Sequence, residues 1–352
     1  MTGATPIAVT VLTGYLGSGK TTLLRQLLEQ EGSGRIAVLI NEFGEISLDD
    51  LMVRDVVGSN VVLQNGCICC SVRSELQAGL RDLLDSMSRG TIPEFDRVLV
   101  ETTGLADPVP IVQTLVADPM LRHRLRLAHL VSTVDALNGV GQLTSQDEAL
   151  RQAATADRLV VTKTDLADEE QLARLLALLA EVNPRAPICQ VPGAGDLCSL
   201  LLSGDVSDPL QSGWDIAALD RNARAGPRAA VPHAHADSRH GPSIRSFVVR
   251  SEKQINWTPF AVWLSLMVHR HGRQILRVKG LLDVPEANGP VLLNAVQHFI
   301  HPPVHLDEWP SGDRTSRLVF IVQDLEEAAI RRSMTEFLAQ AEPLMPGERA
   351  VP

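Results

Sequence analysis

The sequence predicts two unlike domains: an α/β domain with a mostly parallel sheet, then a smaller α+β domain. Three observations predict this. Short β-branched apolar runs recur through the first two-thirds of the chain without clean polar alternation. That is how strands buried on both faces of a parallel sheet read. Leucine stripes at helical spacing lie between the runs. Around residues 204–242 Gly, Pro, Asp and Ala crowd together, and a different pattern follows.

In chain order, the runs Ile7 to Thr13, Arg35 to Ile40, Arg97 to Val100, Ala128 to Val134, Arg158 to Thr162 and Ile188 to Val191 predict six strands. Leu23, Leu24, Leu27 and Leu28 mark one helix face; Leu76, Leu80, Leu83, Leu84 and Met87 mark another. Residues 1–203 are thus the first domain. Residues 204–242 read as a linker whose histidines, His233, His235 and His240, form a solvated tract. Residues 243–341 are the second domain. Strands are expected over Ser246 to Arg250, Ile275 to Val284, Val291 to Phe299 and Arg317 to Val322, with a helix over Pro259 to His269. A final helix carries Leu325, Ala329, Met334, Phe337, Leu338 and Ala341 on one face.

Composition narrows the function classes. A net charge of -10 over 352 residues argues against a protein that neutralises phosphate backbone, so no nucleic-acid partner is expected. No apolar run approaches the roughly 18 residues of a membrane span, so no membrane partner is expected either. The N-terminal segment lacks the basic stretch of a signal peptide and reads as a buried strand. Five cysteines, three of them within residues 67–70, suit a metal or redox site in a reducing compartment. The expected location is the cytoplasm. Cys189 and Cys198 read as packing residues, and His269, His271, His298, His301 and His305 as surface or partner-contact residues and not as ligands.

Gly14, Tyr15, Leu16, Gly17, Ser18, Gly19, Lys20 and Thr21 fit G-x-x-x-x-G-K-[ST] between a strand and a helix. Such a P-loop curls backbone N–H groups around a phosphate, and the helix that follows, through Thr22, turns its positive end to the same anion. Lys20 is the candidate catalytic cation for the β- and γ-phosphates; the Thr21 hydroxyl is a candidate Mg²⁺ ligand. The chain has four lysines against 28 arginines, so a lysine here points to a need for a compact ammonium. The fold class is therefore α/β, a P-loop NTPase domain with a mostly parallel sheet, plus the C-terminal α+β domain. The strand ending at Glu101, with Gly104 three residues on, supplies a carboxylate for the Mg²⁺ shell or the attacking water, and an N–H for the γ-phosphate. Thr162, Lys163, Thr164 and Asp165 resemble the N-K-x-D guanine element. Asp165 accepts from guanine N1–H and the 2-amino group, Lys163 lays its stem over the base or ribose, and Thr162 departs from Asn.

Glu42, Glu45, Cys67, Cys69 and Cys70 form the candidate transition-metal set. Thiolates beside a carboxylate suit Zn²⁺, and Co²⁺ or Cu⁺ also accept thiolate. In an extended C-x-C-C, successive side chains point opposite ways, so two cysteines with Glu45 or Glu42 form a better site than all three.

The segments Glu42–Glu45, Gly66–Cys70, Glu101–Pro108 and Thr162–Asp165 resemble the CobW-like family of P-loop GTPase metallochaperones in order and spacing. The resemblance spans residues 6–200, with a looser match over about 243–340. It implies slow hydrolysis of GTP to GDP, a thiolate metal site centred on Cys69, coupling between the two, and a client metalloprotein. It also relates the chain to the urease- and hydrogenase-maturation GTPases. Two other functions fit parts of the pattern: a metal-storage or sensing protein with a vestigial nucleotide site, and a small-molecule P-loop kinase.

Overall fold

The structure, a computed structural model, describes residues 6–30, 35–41, 61–64, 72–192, 197–202, 244–309 and 313–341. The chain divides into two compact units, Met1–Trp214 and Asp215–Pro352. The expected linker, 204–242, and its histidines lie outside the described residues.

The first unit runs β1 (Ile7–Gly14), α1 (Lys20–Glu29), β2 (Ile36–Asn41), β3 (Val61–Gln64), α2 (Val72–Ser88), β4 (Arg97–Thr102), α3 (Val109–Ala117) and α4 (Leu121–Arg124). It continues β5 (Leu125–Asp135), α5 (Gly139–Ser145), α6 (Asp147–Thr155), β6 (Arg158–Thr162), α7 (Glu169–Val182), β7 (Ile188–Gln190) and α8 (Leu197–Leu202). The strands form one parallel sheet in the order β3-β2-β4-β1-β5-β6-β7. Alternate strand residues serve opposite faces. Val9, Val11, Ala37, Leu39, Val98 and Val100 pack with the α2 stripe of Leu76, Leu80, Leu83 and Leu84. Leu12, Ile36, Val38, Ile40 and Leu99 pack with Leu23, Leu24 and Leu27 of α1. Both faces are covered by helices, which is why neither shows a polar alternation. The six predicted strands all form. The seventh, β3, went unpredicted: it has four residues and, among the described residues, sits at the sheet edge and pairs with β2 alone.

Asp118 ties this layer together. Its buried carboxylate accepts from Arg81 Nη2 at 2.7 Å, from Gln77 Nε2, and from the backbone N–H groups of Met120 and Leu121. Burial raises its pKa, but these donors outweigh that and hold it at about 2. The folded value lies below the unfolded one, so the stabilisation is present above about pH 4 and fades as pH falls toward 2. Asp118→Ala is expected to cost about 2 kcal/mol at neutral pH, below the roughly 3–5 kcal/mol of a broken fully buried pair because Arg81 is partly exposed. Urea melts of both proteins should draw together below about pH 4 and converge only near pH 2; a gap that stays constant with pH would remove the carboxylate's charge from the account.

The second unit holds β8 (Ile244–Ser251), α9 (Trp257–His271), β9 (Ile275–Leu282), β10 (Val291–Val296), β11 (Phe299–Ile300), β12 (Val304–His305), β13 (Ser316–Gln323) and α10 (Glu327–Ala341). Its antiparallel sheet runs β11-β10-β9-β13-β8, with β12 on β10. Phe260, Trp263 and Phe320 centre its core, and Trp263 Nε1 donates to Ser333 Oγ at 3.1 Å. The expected strand Val291 to Phe299 is instead a tight hairpin. Gln297 takes a left-handed φ of 49° and breaks it after Val296. Among the described residues no helix is long and apolar enough to cross a membrane.

Candidate nucleotide site

The glycine loop leaves β1 at the centre of the sheet and enters α1 at Lys20. Gly17 and Gly19 take φ of 73° and 88°, left-handed values that a side chain disfavours. Gly14 is fixed by space: a Cβ there would lie 2.2 Å from Thr133 Oγ1 and 2.5 Å from Thr133 O. The loop is laced to its neighbours by hydroxyls. Ser18 Oγ lies 2.7 Å from Thr133 Oγ1 on β5, and Thr102 Oγ1 on β4 donates to Thr13 Oγ1 at 2.9 Å. Lys20 Nζ is buried under the loop and donates to Gly14 O at 3.0 Å and Tyr15 O at 3.3 Å.

Thr21 Oγ1, in the first turn of α1, donates to Glu101 Oε1 at 2.6 Å. The two residues are 80 apart in sequence, and Glu101 is 4% exposed. A hydroxyl and a carboxylate side by side next to a phosphate loop are hard oxygen donors of the kind Mg²⁺ takes. Gly104 approaches the loop closely: a Cβ on it would lie 2.8 Å from the N and Cα of Leu16. Gln152 Nε2 on α6 holds the same turn by donating to Gly104 O at 3.2 Å and Ala106 O at 2.9 Å.

The other end of the loop meets β6. Thr162 Oγ1 donates to Ser18 O at 2.8 Å, so the threonine in the asparagine position tethers the loop. Lys163 has a φ of 57° and donates from Nζ to Gly17 O at 2.8 Å and Asp135 Oδ2 at 2.7 Å. Asp165 is exposed in the following turn. A capping box of Asp168 and Gln171 then starts α7. The structure thus gathers Gly14, Leu16, Gly17, Ser18, Gly19, Lys20, Thr21, Glu101, Gly104, Thr162 and Lys163 around one loop. Thr22 is exposed on α1.

Sequence reasoning missed Thr13, Thr102, Thr133 and Asp135. The hydroxyls carry no motif. Asp135 carried the signal that singled out Glu101, an apolar strand ending in a carboxylate.

Glu42, Glu45, Cys67, Cys69 and Cys70 lie outside the described residues. The strand ends that lead to them are described. Ile40 of β2 is in register with Glu101 of β4 on one side and Gln64 of β3 on the other. Among the described residues no group of three or more His, Cys, Asp or Glu is placed to hold a metal ion. Cys189 is partly buried, and burial pushes its thiol pKa up, as in an inert packing cysteine.

Sequence and structure comparisons agree on what this arrangement resembles. Residues 8–190 match the nucleotide-binding domain of CobW/HypB/UreG, and residues 244–338 match the cobalamin synthesis protein cobW C-terminal domain. The chain is 36% identical to the zinc chaperone YjiA of Escherichia coli K12 over 93% of its own length and 97% of the relative's. It is 31% identical to the zinc chaperone CobW of Pseudomonas aeruginosa, over 95% and 92% of the two lengths. The crystal structure of Zn(II)-bound YjiA GTPase from E. coli superposes with a TM-score of 0.69 at 32% identity, covering 95% of this chain and 99% of that one. The chain belongs to the CobW/HypB/UreG family.

Proposed function

We propose that this protein is a GTP-hydrolysing metallochaperone that carries zinc, takes it up at the C-x-C-C segment, and couples uptake and release to the GTP cycle. The observation that carries the coupling is the register of one sheet edge. Gln64, Ile40 and Glu101 stand in one row on β3, β2 and β4. The Glu42–Glu45 segment leaves from the end of β2, and the Gly66–Cys70 segment from the end of β3. Along the chain, Glu42 follows β2 directly and Gly66 comes two residues after β3, and β2 pairs with the strand whose carboxylate accepts from Thr21. The relatives named zinc chaperones support zinc as the cargo.

In this reading the loop N–H groups and Lys20 hold the phosphates, and Gly104 N–H contacts the γ-phosphate. Thr21 and Glu101 would hold Mg²⁺, which would supply neutralising charge to the phosphates. Lys163 and Asp165 face the guanine. A nucleotide shifts the Glu42–Cys70 stretch only by binding one of its arrangements better than another. Mg·GTP must then favour the zinc-binding arrangement, and zinc must favour GTP by the same factor.

The test has two arms. Phosphate release is followed with GTP and ATP, with and without zinc; GTP-selective turnover separates this reading from a kinase or a storage protein. Zinc is then titrated against a chromophoric chelator in Mg·GTP analogue, in Mg·GDP and without nucleotide, for the natural protein and Cys69→Ser. Affinity in the GTP-analogue state is expected to be about 5–150-fold higher than with GDP. Cys69→Ser is expected to abolish that difference, and affinity should fall with pH as the thiolates protonate. Equal affinity in all three states would reject the coupling.

A further inference from the structure

Asp135 ends β5 with a buried carboxylate that holds four donors. Oδ1 accepts from the backbone N–H groups of Leu137 at 2.8 Å and Asn138 at 3.3 Å. Oδ2 accepts from Asn138 Nδ2 at 3.1 Å and from Lys163 Nζ at 2.7 Å. Burial raises its pKa, but Lys163 and the other donors outweigh burial and hold it below its ordinary value. Three of the four donors lock the carboxylate to its own turn. The fourth belongs to a residue 28 positions later, on another strand end.

Lys163 is held at both ends. Its backbone sits at φ 57°, a left-handed conformation uncommon for a residue with a Cβ. Its ammonium has three donors, and two are spent on Asp135 Oδ2 and Gly17 O. The four-carbon stem is thereby strung between the end of β6 and the glycine loop. A free lysine stem loses much rotamer freedom when a ligand packs on it. A stem already ordered by the fold loses less, so the ligand binds more tightly.

We propose that Asp135 is a positioning residue for the nucleotide: it anchors the Lys163 ammonium against the glycine loop, so that the lysine stem stands as a preformed apolar wall for the purine face. This rests on the guanine-nucleotide reading above. The wall touches base and not γ-phosphate. Asp135→Asn should therefore weaken GDP and GTP binding by the same factor, about tenfold, raising KM and leaving kcat at saturation unchanged.

A carboxylate that merely caps its turn predicts something different, and a double-mutant cycle separates the two. Asparagine keeps the shape and the acceptor for the Leu137 and Asn138 amides. Lys163→Met keeps an apolar stem and deletes the ammonium. GDP and GTP affinities are measured for the natural protein, Asp135→Asn, Lys163→Met and the pair. The expected result is that Asp135→Asn costs about tenfold with lysine present and nothing with methionine present. An equal loss in both backgrounds overturns the proposal and leaves a turn cap. Should Asp135→Asn fail to fold, nitrogen-15 NMR of the ammonium groups decides in the natural protein, which has four lysines. The Lys163 signal, assigned by its loss in Lys163→Met, should be protected from exchange without nucleotide. A signal as mobile as that of exposed Lys253 overturns the anchor. A natural protein that binds no guanine nucleotide overturns the nucleotide reading and this inference with it.

Discussion

Lys20→Ala is expected to lower GTP turnover by about 10³-fold, the scale of losing one charge-stabilising donor from a preorganised site. The structure makes the loss twofold in kind. Nζ is the cation proposed above for the β- and γ-phosphates, and in the structure it bonds the carbonyls of Gly14 and Tyr15. Alanine leaves those carbonyls without the ammonium and the phosphates without their charge. Arginine is no substitute, because its planar fork is bulkier than the ammonium the loop encloses. Single-turnover phosphate release with saturating Mg·GTP reads the effect on chemistry apart from binding. Turnover within twofold of the natural protein would remove the P-loop assignment.

The second large effect is a change of base. Asp165→Asn is expected to weaken GTP binding by about 10²-fold or more, since two hydrogen bonds to a charged acceptor are worth about 1.5–3 kcal/mol each. Asparagine offers one acceptor and one donor. Xanthine presents a carbonyl where guanine has its 2-amino group, so the amide donor finds a partner there and XTP binding should rise. Paired titrations of GTP and XTP against both proteins measure the switch. If the ratio of the two affinities does not move, Asp165 does not read the base.

Much of this was legible before any coordinates. The apolar strands and leucine stripes located the doubly covered sheet because burial on both faces leaves a long-range imprint on residue type. The phosphate loop was legible because its geometry admits few residues: Gly14 has no room for a Cβ, and Gly17 and Gly19 need left-handed backbone. β3 was not, because four residues paired on one side carry too little apolar pattern. Gln297 broke an expected strand through a backbone angle that its residue type does not announce. Thr133 escaped notice for a different reason: it matters through a partner 115 residues away. Thr162 stood out as a departure from Asn, and the fold gives its hydroxyl to Ser18 O.

The central position of β1 also orders events in time. The strand and its glycine loop are the first part of the described fold to be synthesised, yet the partners that shape them arrive late. Thr102 reaches Thr13 across 89 residues, Thr133 reaches Ser18 across 115, and Thr162 reaches the Ser18 carbonyl across 144. At a translation rate of about 5–20 residues per second, roughly 7–29 seconds separate the synthesis of Ser18 from that of Thr162. Contacts so far apart in sequence also make closure slow once the chain is free. A nascent chain carrying the whole phosphate motif is thus not yet a nucleotide binder, and nucleotide binding itself becomes a report that β6 has joined the sheet.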